Sequence, residues 1–249
     1  MADLVRTHIE AGVAGITLNR PEARNALSLE LIEALAAAVE AVASDRSVRV
    51  VVLAGEGKSY CAGMDLKGVL ADPVRMGMML RTLAMVTLKI RRLAVPTIAR
   101  VQGAAMGGGC GLMVVPDFAV THPEAKLGYP EVSLGVCPAV VAPWLIRKIG
   151  PGRARAMLIA GGAIDGREAH QIGLASHLCP LEKLDETTNA LAQSLVAGGA
   201  EALSETKRWL NELDGSLESE AILLKGADLS ARVIQGEEAQ SRLRKIIGD

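Results

Sequence analysis

A glycine cluster in the middle of the chain limits the possible folds more than any other feature of the sequence. Residues 103–111 contain five glycines, and this stretch lies between the apolar runs 96–101 and 112–115. The pattern predicts a buried strand, a tight turn and a short helix. Glycines at such a turn allow the backbone to approach a ligand closely, and they leave amide N–H groups free to face a phosphate or an oxyanion. Tight packing of backbone against backbone is the alternative interpretation.

Known nucleotide-binding loops do not fit the cluster. A P-loop ends in glycine, lysine and then serine or threonine, whereas this turn ends in Gly109, Cys110 and Gly111. A dinucleotide-binding fingerprint that starts at Gly107 would need its third glycine at Leu112. We therefore expect the cluster either to present free amides to an oxyanion or to allow close packing of the backbone in the core.

Composition narrows the class of protein. The chain has 249 residues, half of them apolar, which is enough for a large core. Its formal net charge is −1, and it has no basic block and few aromatic residues, so nucleic acid is not an expected partner. The cysteines and histidines show no metal-ligand spacing, and no segment has the pattern of a signal peptide or membrane span. We expect a cytoplasmic protein with free thiols and no metal.

The N-terminal third has the pattern of strand, strand, helix and strand. Alternating residues in Val5–Glu10 and 15–18 predict a hairpin. Ser28 is a good N-cap for a helix that ends near residues 44–45. The β-branched run 48–53 is typical of a strand covered on both faces, and this order of elements predicts a right-handed parallel crossover.

A second loop with glycines, residues 54–66, follows that strand at the position where α/β proteins bind ligands. The next segment is rich in methionine and predicts a helical region interrupted at Gly77. Its methionines, Met85 among them, either fill the core or form an adaptable wall around a ligand. Residues 138–149 predict an apolar helix that carries Trp144, and the chain beyond about residue 184 is expected to be helical.

One carboxylate stands in an apolar neighbourhood. Glu131 lies between Pro130 and Val132, where loss of solvation would raise the pKa of its carboxyl group towards the range useful for an acid or a base. The alternative is a structural glutamate in the first turn of a helix that begins after Pro130. The local sequence supports both interpretations equally.

Several spaced motifs together resemble those of the enoyl-CoA hydratase/isomerase (crotonase) family. They are Asn19-Arg20-Pro21 with Asn25-Ala26-Leu27, the run from Cys61 to Leu66, the run from Gly107 to Cys110, Pro130-Glu131, and the run from Ile172 to Ala175. The resemblance implies an α/β fold, a spiral of ββα turns over residues 1–190, with a helical C-terminal region at 191–249 that mediates oligomerisation. It also implies trimers or dimers of trimers, and a coenzyme A thioester as substrate with no separate cofactor.

The resemblance also implies roles for individual residues. The backbone N–H groups of Met64 and Gly108 correspond to the family's oxyanion hole, and Glu131 corresponds to an acid/base. Coenzyme A contacts are implied at Ala23, Arg24, Ala62, Asp65 and Leu66. The acyl pocket is expected to include Gly111, Met85 and Trp144.

The departures from the family pattern bear on the reaction. Typical hydratases carry a second glutamate at the position of Gly111, which has no side chain to activate water. Gly111 and the prolines of residues 138–143 resemble a branch of methylglutaconyl-CoA or isohexenylglutaconyl-CoA hydratases, in which one glutamate and water suffice. We therefore expect hydration of a 2-enoyl-CoA, with a branched, methylglutaconyl-like acyl group as one option. A Δ3-Δ2-enoyl-CoA isomerase, which needs a single base, is the alternative, and a coenzyme A thioester binder with little turnover is a third.

Overall fold

The computed structural model describes residues 3–65 and 72–247. Within these ranges the strands are β1 (Val5–Glu10), β2 (Val13–Leu18), β3 (Val50–Gly55), β4 (Thr97–Val101), β5 (Ala104–Met106), β6 (Phe118–Thr121), β7 (Lys126–Gly128), β8 (Ala163–Asp165) and β9 (His177–Leu178). The helices are α1 (Leu29–Ser44), α2 (Pro73–Arg92), α3 (Gly108–Val114), α4 (Ala142–Ile149), α5 (Pro151–Ala160), α6 (Gly166–Gln171), α7 (Leu184–Val196), α8 (Ala200–Leu213), α9 (Glu220–Ile234) and α10 (Glu237–Ile247).

The strands form two sheets that the chain visits in turn. The larger sheet has the order β1-β2-β3-β4-β6-β9 and is parallel except for the β1–β2 hairpin. The smaller sheet has the order β5-β7-β8, with β5 and β7 parallel and β8 antiparallel. Because β4 and β6 lie in the larger sheet while β5 and β7 lie in the smaller one, the chain advances as a spiral of ββα turns. The predicted fold class and the helical C-terminal region are confirmed.

Isolated bridges continue the stacking of these turns at the smaller sheet. Leu27 pairs with Met64 in parallel, and Cys61 pairs in parallel with Ala105 of β5. The loop after β2, the loop after β3 and strand β5 therefore lie side by side in the order of the chain. This arrangement brings the two predicted glycine loops next to each other.

Most local predictions are confirmed. The hairpin turns at Ala11 and Gly12, both with positive φ, and the Ser28 hydroxyl accepts a hydrogen bond from the Leu31 N–H at the start of α1. The predicted interruption at Gly77 is wrong, since α2 is continuous there. Buried neighbours such as Met76 and Met79 attach the helix to the core on both sides of the glycine, which offsets its poor helix propensity.

The C-terminal helices cover the spiral rather than extend away from it. Helix α7 packs on β3, β4 and β6, and α9 packs along α2. The predicted boundary after residue 190 falls inside α7, and the division of the chain into a core and an oligomerisation region stays a prediction. No helix within the described ranges is long and apolar enough to pass through a lipid bilayer.

Asn25 connects the loop after β2 to the loop after β3. Its side chain is fully buried, and its amide nitrogen donates to the carbonyl oxygens of Glu56, Ser59 and Tyr60 at 3.0, 2.8 and 3.2 Å. Its side-chain oxygen accepts from the Arg20 N–H at 2.9 Å. Asn25 also adopts a left-handed backbone conformation, with φ of 55°, which asparagine tolerates better than most residues. One side chain thus satisfies polar backbone groups of both loops that their isolated bridges leave without partners.

We predict that Asn25→Ala lowers the free energy of unfolding by about 2–4 kcal/mol, because it leaves buried carbonyls without donors and keeps a strained φ. Urea denaturation measures this change. Asn189→Ala, at an exposed position on α7, is the control and should change stability by less than about 0.5 kcal/mol. Equal effects of the two substitutions would contradict the role assigned to Asn25.

Candidate active site

The stacked loops place the backbone of Met64 against the start of α3. A side chain built on Gly108 would meet the Met64 Cγ at 3.7 Å, and one built on Gly109 would meet the Cys61 carbonyl oxygen at 2.3 Å. Only glycine permits the second approach, because any Cβ there would overlap a backbone atom. The helix predicted at 112–115 therefore begins earlier, at Gly108, and the glycines themselves form its first turn.

The backbone N–H groups of Met64 and Gly108 are candidate donors for a ligand at this junction. Within the described parts of the chain, the N–H groups of Met64 and Gly108 make no hydrogen bond to a backbone or side-chain oxygen. Gly108 opens α3, and the first N–H groups of a helix have no partner inside the helix. One neighbouring amide of each residue is satisfied, since Gly107 donates to the Gly128 oxygen at 2.8 Å and Asp65 donates to the Leu27 oxygen at 2.9 Å.

Glu131 brings its carboxylate to the same junction. It starts a 3₁₀ helix, Glu131–Leu134, directly after Pro130, so the residue does occupy a helical first turn. Its side chain nevertheless turns back to the glycine loop, where a Cβ on Gly107 would lie 2.9 Å from Oε1. Gly107 has φ of 52° and ψ of −121°, a conformation that other residues rarely adopt. Glycine at this position both allows the turn and leaves space for the carboxylate.

The environment of Glu131 favours its neutral form. Burial is the main cause that raises the pKa of this carboxyl group to about 7, and a hydrogen bond from its own backbone N–H lowers the pKa by a smaller amount. The Oε2 atom is buried and has no hydrogen-bond partner within the described residues. A buried oxygen without a partner is costly, so it is expected to bind a water molecule or a ligand.

A cavity in two parts surrounds this junction, and we call them the outer chamber and the inner chamber. The outer chamber, of about 90 Å³, is lined by Ala62, Gly63, Met64, Met106, Gly107, Gly108, Pro130, Glu131, Leu134, Val136 and Ile234. The inner chamber, of about 30 Å³, is lined by Met64, Leu80, Leu83, Gly108, Glu131, Val136, Cys137, Pro138, Val140, Val141, Ser230 and Ile234. Met64, Gly108 and Glu131 line both chambers and therefore lie where the two meet.

The residues predicted to bind coenzyme A have different surroundings. Ala62 lines the outer chamber, and its N–H donates to the Arg24 oxygen at 3.0 Å, next to Ala23. The Arg24 side chain is exposed and forms no ion pair with the residues that the structure describes. Asp65 instead pairs with Arg20 at 2.7 Å, so its carboxylate already has a partner inside the protein. Leu66 lies outside the described residues.

The structure does not bring the three predicted acyl-pocket residues to the walls of the cavity. Trp144 is buried, and its indole N–H donates to the Thr87 hydroxyl at 2.9 Å. Met85 is partly buried against the core and is not among the described residues that line either chamber. A side chain on Gly111 would meet the Val141 Cγ1 at 2.3 Å, so Val141 fills the space next to Gly111 and lines the inner chamber in its place.

Sequence reasoning missed several wall residues for a common reason. Leu83 lies in α2, Ser230 lies in α9 and Val141 lies just before α4, and no local pattern distinguishes them from ordinary core residues. Gly107 could have been noticed in the sequence, because a glycine next to the predicted oxyanion donor indicates that another group comes close to the backbone there. That group is the Glu131 carboxylate, which only the three-dimensional structure identifies.

Comparisons with known proteins identify the family of the chain. The family model described as Enoyl-CoA hydratase/isomerase matches residues 8–241, and the chain belongs to this family. It is 33% identical over 198 residues to the 2,3-dehydroadipyl-CoA hydratase of Escherichia coli, covering 79% of this chain and 77% of that protein. It is 31% identical over 251 residues to the 1,2-epoxyphenylacetyl-CoA isomerase of the same organism, covering 96% and 95%. The crystal structure of an enoyl-CoA hydratase from Bacillus halodurans superimposes with a TM-score of 0.90 at 25% identity, covering 97% of this chain and 99% of that one.

We predict that Gly111→Ala destabilises the protein by about 1–3 kcal/mol, because the new methyl group would overlap Val141. Removing the Val141 methyl groups should relieve the overlap. The double variant with Val141→Ala should therefore be more stable than the sum of the single effects by about 1 kcal/mol or more.

Thermal and urea unfolding of the four proteins measure this coupling. Gly152→Ala is the control, since a side chain on this helical glycine would meet no atom within 4 Å. Strict additivity of the Gly111 and Val141 substitutions would show that the two residues do not share one space.

Proposed function

We propose that the protein adds water to a 2-enoyl-CoA, with Glu131 as the only acid/base and the amides of Met64 and Gly108 as an oxyanion hole. The observation that supports this proposal most strongly is the junction of the two chambers, where two unpaired donors and one unpaired carboxylate oxygen meet. A thioester oxygen that gains negative charge needs donors of this kind, and the carbon next to the thioester needs a proton.

The proposed reaction uses one carboxylate twice. Ionised Glu131 removes a proton from water as the water oxygen bonds to C3 of the enoyl group. The π electrons of the C2–C3 double bond move towards C1, and the thioester oxygen gains a negative charge that the Met64 and Gly108 amides stabilise. Glu131 then returns a proton to C2, and the thioester carbonyl forms again. The Glu131 pKa of about 7 suits both halves of this exchange, because neither protonation state is strongly favoured at neutral pH.

A specific observation also favours the second candidate function, which is migration of the double bond from C3–C4 to C2–C3. Val141 presents methyl groups beside Gly111, at the position where typical hydratases of the family carry another glutamate. The described atoms nearest to a side chain built on Gly111 belong to Val141, whose methyl groups cannot hold a water molecule by hydrogen bonds. Isomerisation needs only Glu131 to move a proton between C4 and C2, and an isomerase is among the relatives.

Trimer formation and a cytoplasmic location stay predictions.

Mass spectrometry in heavy-oxygen water distinguishes these reactions. Purified protein is incubated with paired 2-enoyl-CoA and 3-enoyl-CoA substrates. Hydration predicts one labelled oxygen in the product of the 2-enoyl substrate, whereas isomerisation predicts an unchanged formula with a moved double bond. Unchanged substrates in every pair would support a binder with little turnover and contradict the proposal.

We predict that Glu131→Gln lowers turnover by at least about 100-fold, because the amide cannot exchange the proton. Glu182→Gln is a matched control, since Glu182 also lies in the first turn of a 3₁₀ helix but is exposed. It should retain the wild-type rate. Equal rates for Glu131→Gln and the wild-type protein would show that another group carries the chemistry.

The proposal also predicts a pH dependence. Since Glu131 must be ionised to accept a proton, kcat/KM should rise with pH to a plateau with an apparent pKa near 7. The raised pKa of Glu131 also affects stability, which should fall as pH rises, whereas kcat/KM should increase. The folded protein holds this proton more tightly than the unfolded chain, whose pKa is near 4.5, so ionisation weakens the fold between pH 4.5 and 7.

We therefore expect Glu131→Gln to be more stable than the wild-type protein by about 3 kcal/mol well above pH 7, with little difference below pH 4.5. Urea unfolding at a series of pH values measures the difference. A stability difference that does not change with pH would contradict the raised pKa of Glu131.

A further inference from the structure

Resting on the proposed function, we propose that the inner chamber selects a short, uncharged acyl group and that Val141 limits its length. The position of the thioester leads to this inference. If the thioester oxygen lies between the Met64 and Gly108 amides, the two ends of the substrate leave the junction through different chambers. Ala62, next to the exposed Arg24, lies on the outer side, which suits the phosphates of coenzyme A. The acyl group then enters the inner chamber.

The inner chamber is small. Its volume of about 30 Å³ corresponds to about two water molecules, and a methyl or methylene group is similar in size to a water molecule. With C1 and C2 at the junction, the chamber has space for only the next few carbons. An acyl group of roughly four to six carbons fits without movement of the walls.

The wall that carries Val141 is fixed from two sides. Gly111 of α3 has no side chain to displace Val141, and a Cβ on Gly226 of α9 would come within 2.6 Å of the Ala139 oxygen. The Ser230 hydroxyl, also on α9, donates to the Cys137 oxygen at 2.7 Å. Two glycines and one hydroxyl therefore hold the segment before α4 close to the catalytic junction. Val141, at 3% exposure, projects from this segment into the chamber.

No counter-charge for a second carboxylate is present among the described residues that line the chamber. Among the described residues that line it, Glu131 is the one charged side chain, and its charge has the wrong sign. The Ser230 proton is already donated to the Cys137 oxygen, and most of the remaining surface is aliphatic. A carboxylate placed there would lose its hydration and would face Glu131 as well. This inference differs from the methylglutaconyl-like substrate that the sequence resemblance offered as one option.

The test compares the wild-type protein, Val141→Ala and a matched control, Val120→Ala. Val120 is fully buried in a separate cluster with Val50 and Ile98, so its truncation removes the same atoms away from the cavity. Turnover is measured with straight 2-enoyl-CoA substrates of four, six, eight and ten carbons, and with a six-carbon substrate that ends in a carboxylate.

For the wild-type protein we expect kcat/KM to fall at least 10-fold between six and eight carbons. We also expect the six-carbon neutral substrate to exceed its carboxylate analogue by at least 10-fold. Val141→Ala should raise the ratio of eight-carbon to four-carbon kcat/KM by about 10-fold, and Val120→Ala should keep the wild-type ratio. A flat wild-type profile, or a preference for the carboxylate, would overturn the inference even if Val141→Ala failed to fold.

Binding measurements separate this inference from the proposed function. Calorimetric titration with saturated acyl-CoA thioesters of the same lengths gives dissociation constants that do not depend on turnover. If no substrate is transformed but affinity falls beyond six carbons, the proposed function fails and the chamber's selectivity stands. If turnover proceeds but neither affinity nor kcat/KM depends on length or charge, the proposed function stands and the inference about Val141 fails.

Discussion

The backbone contact between Gly109 and Cys61 is the constraint on which the site depends. A Cβ on Gly109 would lie 2.3 Å from the Cys61 oxygen, so helix α3 rests directly on the loop after β3. This contact joins consecutive turns of the spiral and sets the distance between the Met64 and Gly108 amides. Asn25 holds the other side of the same loop through buried hydrogen bonds. Glycines that allow close backbone contact and one buried asparagine therefore bring two irregular loops together.

The burial of Glu131 is the opposite kind of feature, because it weakens the fold and supports the chemistry. An ionised carboxylate among aliphatic side chains is unfavourable, which raises its pKa to about 7. A base with that pKa can both take and return a proton near neutral pH. The unfavourable free energy of burying this carboxylate is offset by the packing of α2, α9 and the two sheets elsewhere in the protein. Such a trade between stability and reactivity is common at active sites.

The parts of the structure that depend on neighbours in sequence were predictable, and those that depend on distant contacts were not. The hairpin at Ala11, the Ser28 cap and the strand before the glycine cluster follow from local rules. The family resemblance supplied the pairing of Met64, Gly108 and Glu131, and the structure brings these residues to one cavity. Trp144 and Met85 were expected in the acyl pocket because of the family resemblance, but the direction of each side chain is set by tertiary packing.

Gly111 shows most clearly why the rest was out of reach. From the sequence alone, Gly111 is interpreted as a missing glutamate, because it is compared with the residue that typical hydratases have at this position. In the structure it is one half of a contact with Val141, which lies 30 positions later in a different element. No periodicity or spacing links the two residues, so only the fold shows that the absence of a side chain at one position makes space for the side chain at the other.

We propose that the thioester oxygen of the substrate binds between the Met64 and Gly108 amides, with the C2 carbon facing Glu131. A crystal structure of the complex with butyryl-CoA tests it most directly. We expect the thioester oxygen at about 3 Å from both nitrogens, the acyl chain in the inner chamber, and C2 within about 4 Å of a Glu131 carboxylate oxygen. A thioester bound elsewhere, or one whose acyl chain leaves through the outer chamber while both amides contact only water, would contradict it.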